Sequence, residues 1–262
     1  MYLLQNMEVV FVQTEYYLGC SGFYYNHWKT TFYPTNLSKT KWLNYYTRFF
    51  NTLEVNNTFY RYPSEKLLSG WYSKTPENFR FTLKANRIIT HLHKFSGTQQ
   101  YTINFYKLAH LLKDKLLCLL FQLPPMVHKS MELLQTIADQ LDYSVVNALE
   151  FRHRSWWDSE VYDFLDKNGI VFCSVSASEL PDSLVKTANT VYIRFHGKDG
   201  WYMYNYSERE LKDRAEKIKT QNAKQVLCYF NNDFNANATR NCLTLKKLLE
   251  PHSQSVEAPL QL

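Results

Sequence analysis

Glu150 and Arg152 lie two residues apart in the run Asn147-Ala-Leu-Glu-Phe-Arg-His-Arg-Ser-Trp-Trp157, which puts both charges on one face of an otherwise apolar strand. Two other runs repeat the pattern. In Thr52-Leu-Glu-Val-Asn-Asn-Thr-Phe-Tyr60, Glu54, Asn56 and Thr58 share a face opposite Leu53, Val55 and Asn57; in Thr190-Val-Tyr-Ile-Arg-Phe-His-Gly197, Tyr192, Arg194 and His196 oppose Val191, Ile193 and Phe195. A polar strand face without water is costly unless its groups are paired, hydrogen-bonded or used on a ligand. These runs therefore read as walls of a site.

The side chains suggest the chemistry. Arg152 and Arg194 can fork onto a phosphate or carboxylate, Lys84 adds a compact charge, and Asn56, Gln122 and Asn231 offer neutral hydrogen bonds. Together they favour a small anionic or polyhydroxylated ligand. Glu150 or Glu54 serves as general acid or base if burial raises its pKa, with His196 as the alternative proton carrier near neutral pH. Ser21 lacks a Gly-x-Ser-x-Gly elbow and fits a hydrogen-bonding role better than a nucleophilic one. Trp156, with Phe23, Tyr24, Tyr25, Trp28, Trp157, Trp201 and Tyr202, forms a candidate stacking surface that keeps a nucleic-acid partner open. His91, His93, His153 and His196, with Glu54 and Glu150, make a candidate metal set, but Lys84, Arg152 and Arg194 would repel a cation there. No metal is expected. No Gly-x-Gly-x-x-Gly or phosphate-loop sequence occurs, so no nucleotide cofactor in the usual cradle is expected.

Eight short apolar or β-branched runs must position these residues: near Tyr17–Ser21, Leu53–Phe59, Phe79–Ala85, Leu116–Leu123, Asn147–Arg152, Ile170–Val175, Thr190–His196 and Gln225–Asn231. Helical patterns separate most of them. Ser38, Thr98, Ser130 and Asp158 are helix starts, Gly169 is a stop, and Ser207-Glu-Arg-Glu210 is a capping box. Pro181 makes the sixth connection, Ser176 to Ala188, a poor helix. Alternating strands and helices imply parallel pairing, and eight repeats close into an α/β barrel, a single (β/α)8 TIM-like fold. A doubly wound open sheet is the alternative. Strand-end residues such as Glu54, Lys84, Glu150 and His196 would then line the barrel mouth, where functional side chains collect.

At 262 residues and 45% hydrophobic, the chain suits one such barrel, with residues 1–15 an N-terminal extension, 16–250 the barrel and 251–262 a tail. A net charge of +6, from 30 basic and 24 acidic residues without a concentrated basic tract, allows anionic partners without demanding a nucleic acid. Five cysteines without a Cys-x-x-Cys pair read as small core residues of a cytoplasmic protein. No apolar run approaches a membrane span, so no membrane partner is expected.

Several motifs occur in a recognisable order. They are Gly19-Cys-Ser-Gly-Phe23 with Trp28 and Phe32-Tyr-Pro34, Glu54-Val-Asn-Asn-Thr-Phe-Tyr-Arg61, Trp71 with Thr75-Pro76, and Phe79-Arg-Phe-Thr-Leu-Lys84. Thr90-His91, Phe121-Gln-Leu-Pro-Pro125, Glu150-Phe-Arg-His153 with Ser155-Trp156, Tyr192-Ile-Arg-Phe-His-Gly197 and Tyr229-Phe-Asn-Asn-Asp233 follow. From about Leu18 to Leu249 the chain resembles the YecE-like barrel family, domain of unknown function 72. Phe23 stands where that family usually carries Trp, and Ala236 to Ala238 replace a more glycine-containing turn. The resemblance implies a TIM-like barrel and a distant likeness to xylose-isomerase-like barrels, which include sugar isomerases and metal-dependent apurinic endonucleases; it implies no established activity. Three functions follow as expectations: a metal-independent hydrolase, lyase or isomerase acting on a phosphorylated or sugar-like substrate; a nucleic-acid binding or repair protein; and a non-catalytic ligand-binding barrel. Fold alone does not choose among them.

Overall fold

Eight parallel strands leave no exposed edge only if the sheet closes on itself, and here it does. The computed structural model describes residues 13–250. The strands are β1 (Glu15–Cys20), β2 (Thr52–Val55), β3 (Arg80–Lys84), β4 (Leu116–Gln122), β5 (Val146–Glu150), β6 (Val171–Ala177), β7 (Thr190–Gly197) and β8 (Gln225–Phe230). They hydrogen-bond in the order β1-β8-β7-β6-β5-β4-β3-β2, every pair parallel. All eight strand runs read from the sequence form strands. The expected N-terminal extension and C-terminal tail lie largely outside the described residues.

The β1/β2 seam closes the circle by other means. One parallel bridge joins Ser21 to Glu54, and Gly22 N donates to Glu54 O at 2.8 Å. Below it, side chains replace the ladder: Asn51 accepts from Leu18 N (3.0 Å) and donates to Tyr16 O (2.7 Å), while Tyr46 Oη accepts from Cys20 N (2.7 Å) and donates to Thr52 O (3.0 Å). Gly19 permits the approach, since a Cβ there would meet Thr52 O at 2.1 Å.

The period-two pattern divides the apolar residues between two cores. Cys118, Leu120, Ala148, Cys173, Val175, Tyr192, Leu227 and Tyr229 fill the barrel interior. Leu53, Phe81, Leu83, Leu119, Phe121, Ile193 and Phe195 face the helix layer instead. Midway up the interior, the Tyr229 hydroxyl meets Thr52 Oγ1 (2.8 Å) and Thr82 Oγ1 (2.7 Å), so the polar atoms at the centre are paired.

Helices α1 (Trp42–Tyr46), α2 (Asn57–Tyr60), α3 (Glu65–Lys74), α4 (Gln99–Ala109), α5 (Met131–Ala138), α6 (Ser159–Lys167), α7 (Glu208–Lys219) and α8 (Asn237–Leu249) lie between or after the strands. Ser130, Asp158 and Ser207 cap α5, α6 and α7 as their positions predict, and Ser207 with Glu210 forms the capping box. Thr98 instead donates to Gln140 Oε1, and Ser38 leads into a 3-10 turn before α1. At five residues, α1 is too short to stand alone. Aromatic packing holds it, including a Tyr33–Trp42 stack with centroids 4.5 Å apart and planes 5° from parallel.

One departure and one expected break matter for the site. The expected strand Leu53–Phe59 stops at Val55, and the chain turns into α2, so Asn56 and Thr58 do not continue the Glu54 face. Thr58 is buried, with its hydroxyl bonded to Val55 O (3.0 Å) and Lys84 O (2.7 Å). Between β6 and β7 no helix forms, as Pro181 predicts. That segment is stitched down: Ser174 Oγ accepts from Val185 N (2.9 Å), and Thr187 Oγ1 accepts from Phe172 N (2.7 Å) and donates to Ile170 O (2.7 Å).

Candidate functional site

The C-terminal strand ends carry the polar face read from the sequence. Lys84, Gln122 and Glu150 are the last residues of β3, β4 and β5; Glu54 lies on β2, Arg194 and His196 on β7, and Asn231 follows β8. Six of these seven come together around one guanidinium or in the cavity beside it, and His196 touches the same cluster. Its centre is Arg194, almost fully buried. Glu54 Oε1 accepts from Arg194 Nε (3.1 Å) and Nη2 (2.7 Å), and Glu150 Oε2 accepts from Nη1 (2.6 Å). Tyr192 Oη donates to Glu54 Oε2 in a very short hydrogen bond. Arg194 thus spans two carboxylates on opposite walls. The fork expected to hold an anionic ligand is occupied by the protein's own glutamates, a strut that fixes both acids.

Arg152 completes the cluster from beyond β5. Its Nε forms an ion pair with Glu150 Oε1, and Nη2 lies 3.2 Å from His196 Nε2. The Nε–Oε1 contact is close but not directed as a hydrogen bond. The His196 ring is boxed in: Nε2 lies 3.4 Å from Glu150 Oε1 and 3.5 Å from Arg194 Nη1, and Nδ1 lies 3.2 Å from the Asn231 side-chain amide.

These contacts assign protonation states differently from the sequence reading. Burial pushes the Glu150 carboxyl up, but Arg152 and Arg194 beside it prevail and hold it well below the usual range. Glu150 is therefore a fixed carboxylate rather than an acid with a raised pKa. Burial, together with the charges of Arg152 and Arg194, pulls His196 down to about 3. The expected proton carrier near neutral pH is thus a neutral ring. Lys84 is the group that titrates near neutrality: burial, reinforced by Arg194 and Arg152 and opposed by Glu150 and Glu54, lowers its ammonium to about 7. Lys84 keeps part of its surface at the cavity, so enclosure by protein rather than complete exclusion of water sets this value. Nζ donates to Gln122 Oε1 at 2.6 Å and sits 4.2 Å from the Phe59 ring centroid. Among the described residues no carboxylate lies within 4 Å of it.

A cavity of about 360 Å3 opens above this cluster, lined by Asn56, Phe59, Lys84, Gln122, Arg152, Arg194 and Asn231, with Tyr25, Tyr202 and Asp233 at its rim. Asn56 Oδ1 is buried there without a partner. Ser21 lies beside Glu54 across the seam, its hydroxyl buried and unpartnered, but it does not line the cavity.

Trp156 stands apart from the others. It is fully buried, stacked on Phe151 with centroids 4.2 Å apart, and its indole N–H donates to Val127 O at 2.8 Å. Its ring anchors a loop and reaches no cavity. Trp28 is likewise buried, and Phe23 and Tyr24 line a separate groove against Trp71 and Leu43. Of the expected stacking surface, Tyr25, Trp201 and Tyr202 remain near the mouth. Asp233 and His27 pair at 3.2 Å on the rim. Among the described residues no group of three or more His, Cys, Asp or Glu side chains is placed to hold a metal ion. No helix among them is long and apolar enough to cross a membrane.

Sequence reasoning missed the part of Tyr192, which shares Arg194's strand face and could have been found by that alternation. It also missed Phe59 beneath Lys84, for which the sequence offers no signal because α2 brings it there.

The comparisons agree with the barrel. Residues 17–261 match the family model described as "Protein of unknown function DUF72". The UPF0759 protein YunF of Bacillus subtilis (strain 168) is 26% identical, over 94% of this chain and 98% of that protein. A crystal structure of a DUF72 family protein from Thermotoga maritima MSB8 is 32% identical and superposes with a TM-score of 0.82, covering 90% of this chain and 99% of that one. A DUF72 family protein from Enterococcus faecalis V583, 23% identical, shares the fold with a TM-score of 0.79 over 95% of this chain and 100% of that one. With residues 17–261 matched by its model, the chain belongs to the DUF72 family of proteins of unknown function.

Proposed function

We propose that this protein binds a small anionic, polyhydroxylated molecule at the barrel mouth and moves a proton on it, as a hydrolase, lyase or isomerase that needs no metal. The observation that carries this reading is Lys84, an enclosed ammonium facing the cavity with no carboxylate partner. Around it, the charges of Glu54 and Glu150 are matched by those of Arg152 and Arg194, the histidine is neutral and Asp233 at the rim pairs with His27, so among these inner groups Lys84 is the cation left over. An anion entering the cavity supplies the missing charge. Asn56, Gln122 and Asn231 offer hydrogen bonds to hydroxyl groups. A volume of about 360 Å3 suits a compact ligand of sugar-phosphate size. An amine titrating near neutral pH can both hold the anion as ammonium and take a proton as free amine. Burial of Trp28 and Trp156 favours a small ligand over a base-stacked polymer.

The test is a thermal-shift panel of glucose 6-phosphate, glycerol 3-phosphate, gluconate and the neutral sugar glucose, on wild type and Lys84→Met. One or more anions should raise the wild-type midpoint while glucose does not, and the folded variant should lose the response. A wild-type midpoint indifferent to every anion at millimolar concentration would overturn the proposal.

A further inference from the structure

The cavity that holds Lys84 adjoins a second, larger one of about 590 Å3, and the two share Gln122 and Arg152 in their walls. Arg152 is the partition. Its guanidinium lies over the Trp201 ring, 4.6 Å from the centroid, while Nη2 and Nε reach inward to His196 and Glu150. The two compartments differ in chemistry. The first is the more polar, its amides and cations set beside Phe59 and tyrosine rings; the second is the more apolar, with Trp201, Leu180 and Pro125 beside His153, and Arg154 and Glu179 exposed at its rim. Leu180, in the helix-free connection after β6 that contains Pro181, forms one wall of the second.

We propose that the mouth takes a two-part ligand: an anionic group beside Lys84 and Arg152, joined to a planar apolar or aromatic substituent that lies in the second compartment against Trp201 and Leu180. This rests on the reading that Lys84 holds an anion, and it names the class of molecule that carries it. A sugar-phosphate-sized group fills only the first compartment. Buried, hydrogen-bonded charges there orient the anion, and the apolar second compartment rewards a substituent by area rather than by direction. The flat Arg152–Trp201 stack presents a planar edge along which a ring can extend. Arg152 touches both compartments, so a substituent beside Trp201 acts on the residue that also holds Glu150.

Isothermal calorimetry with methyl phosphate and phenyl phosphate at pH 6.5 tests this, because both are phosphate monoesters and differ in the ring. Wild type should bind phenyl phosphate roughly tenfold tighter or more, a preference that ring burial readily supplies. Leu180→Trp fills the second compartment and should bring the two ligands within about twofold of each other while leaving methyl phosphate affinity near that of wild type. Trp201→Ala removes the opposite wall and should also abolish the preference, so the test stands if either variant fails to fold. Methyl phosphate bound through Lys84 with no preference for the ring, or a preference that survives both substitutions, overturns the two-part ligand alone. If neither phosphate binds, and Lys84→Met changes nothing, the anion reading falls and this inference with it.

Discussion

Arg194 lends all three of its nitrogens to Glu54 and Glu150, so its removal strands the buried Glu54 carboxylate and leaves Glu150 with Arg152 alone. Breaking one side of a buried ion pair costs about 3–5 kcal/mol, much of it the penalty of the uncompensated charge. Arg194→Met, which keeps the aliphatic volume, should lose stability on that scale in urea unfolding. A wild-type midpoint would show that the strut is dispensable. The same arrangement accounts for the split between the two arginines. Arg194 is spent on structure, whereas Arg152 faces both cavities. Glu150 stays ionised because its cationic neighbours outweigh burial, and His196 stays neutral because those same charges add to burial. One cluster thus pulls both groups below neutrality, leaving an ionised acid and a neutral base at pH 7, and Lys84 as the group that titrates near it.

At the scale of elements, the β1/β2 seam is the unusual joint. The ladder there gives way to the side chains of Asn51 and Tyr46, which meet backbone groups that would otherwise be unpaired. Asn51→Ala leaves Leu18 N and Tyr16 O without partners, at about 1–3 kcal/mol for each group that stays dry. The variant should unfold at lower denaturant, and hydrogen exchange should quicken at Leu18 ahead of the β6–β7 pair. Unchanged exchange at Leu18 would mean that water or another strand group closes the seam. Most of the fold was legible because strand alternation, capping residues and Pro181 are local signals. What was not legible depended on closure. Arg194 and Glu54 lie 140 residues apart, and only the completed barrel shows that they choose each other over a ligand. The early end of β2 was hidden because Asn56 and Asn57 fit either a strand or a helix start, and α2 then carries Phe59 under Lys84. Trp156 followed polar strand-end residues and so resembled a mouth aromatic, although its indole N–H found a backbone carbonyl inside the protein.

Across the whole molecule, a net charge of +6 draws anions weakly and over distances that physiological salt screens within about 8 Å. The proposed anion binding must therefore come from the cavity at the barrel mouth, where Lys84 is the surplus inner charge. This gives the account a direct test: the affinity for sulfate, an anion that does not itself titrate near neutrality, measured by calorimetry between pH 6 and pH 9. Below pH 7 Lys84 carries its proton and the cavity is cationic; above pH 7 it releases that proton and the site loses its surplus charge. Sulfate should bind most tightly near pH 6, weaken by up to about tenfold for each pH unit above 7, and lose this dependence in Lys84→Met. Sulfate affinity that is absent at pH 6, or present and unchanged across the range in both proteins, would contradict the claim that Lys84 makes the barrel mouth an anion site.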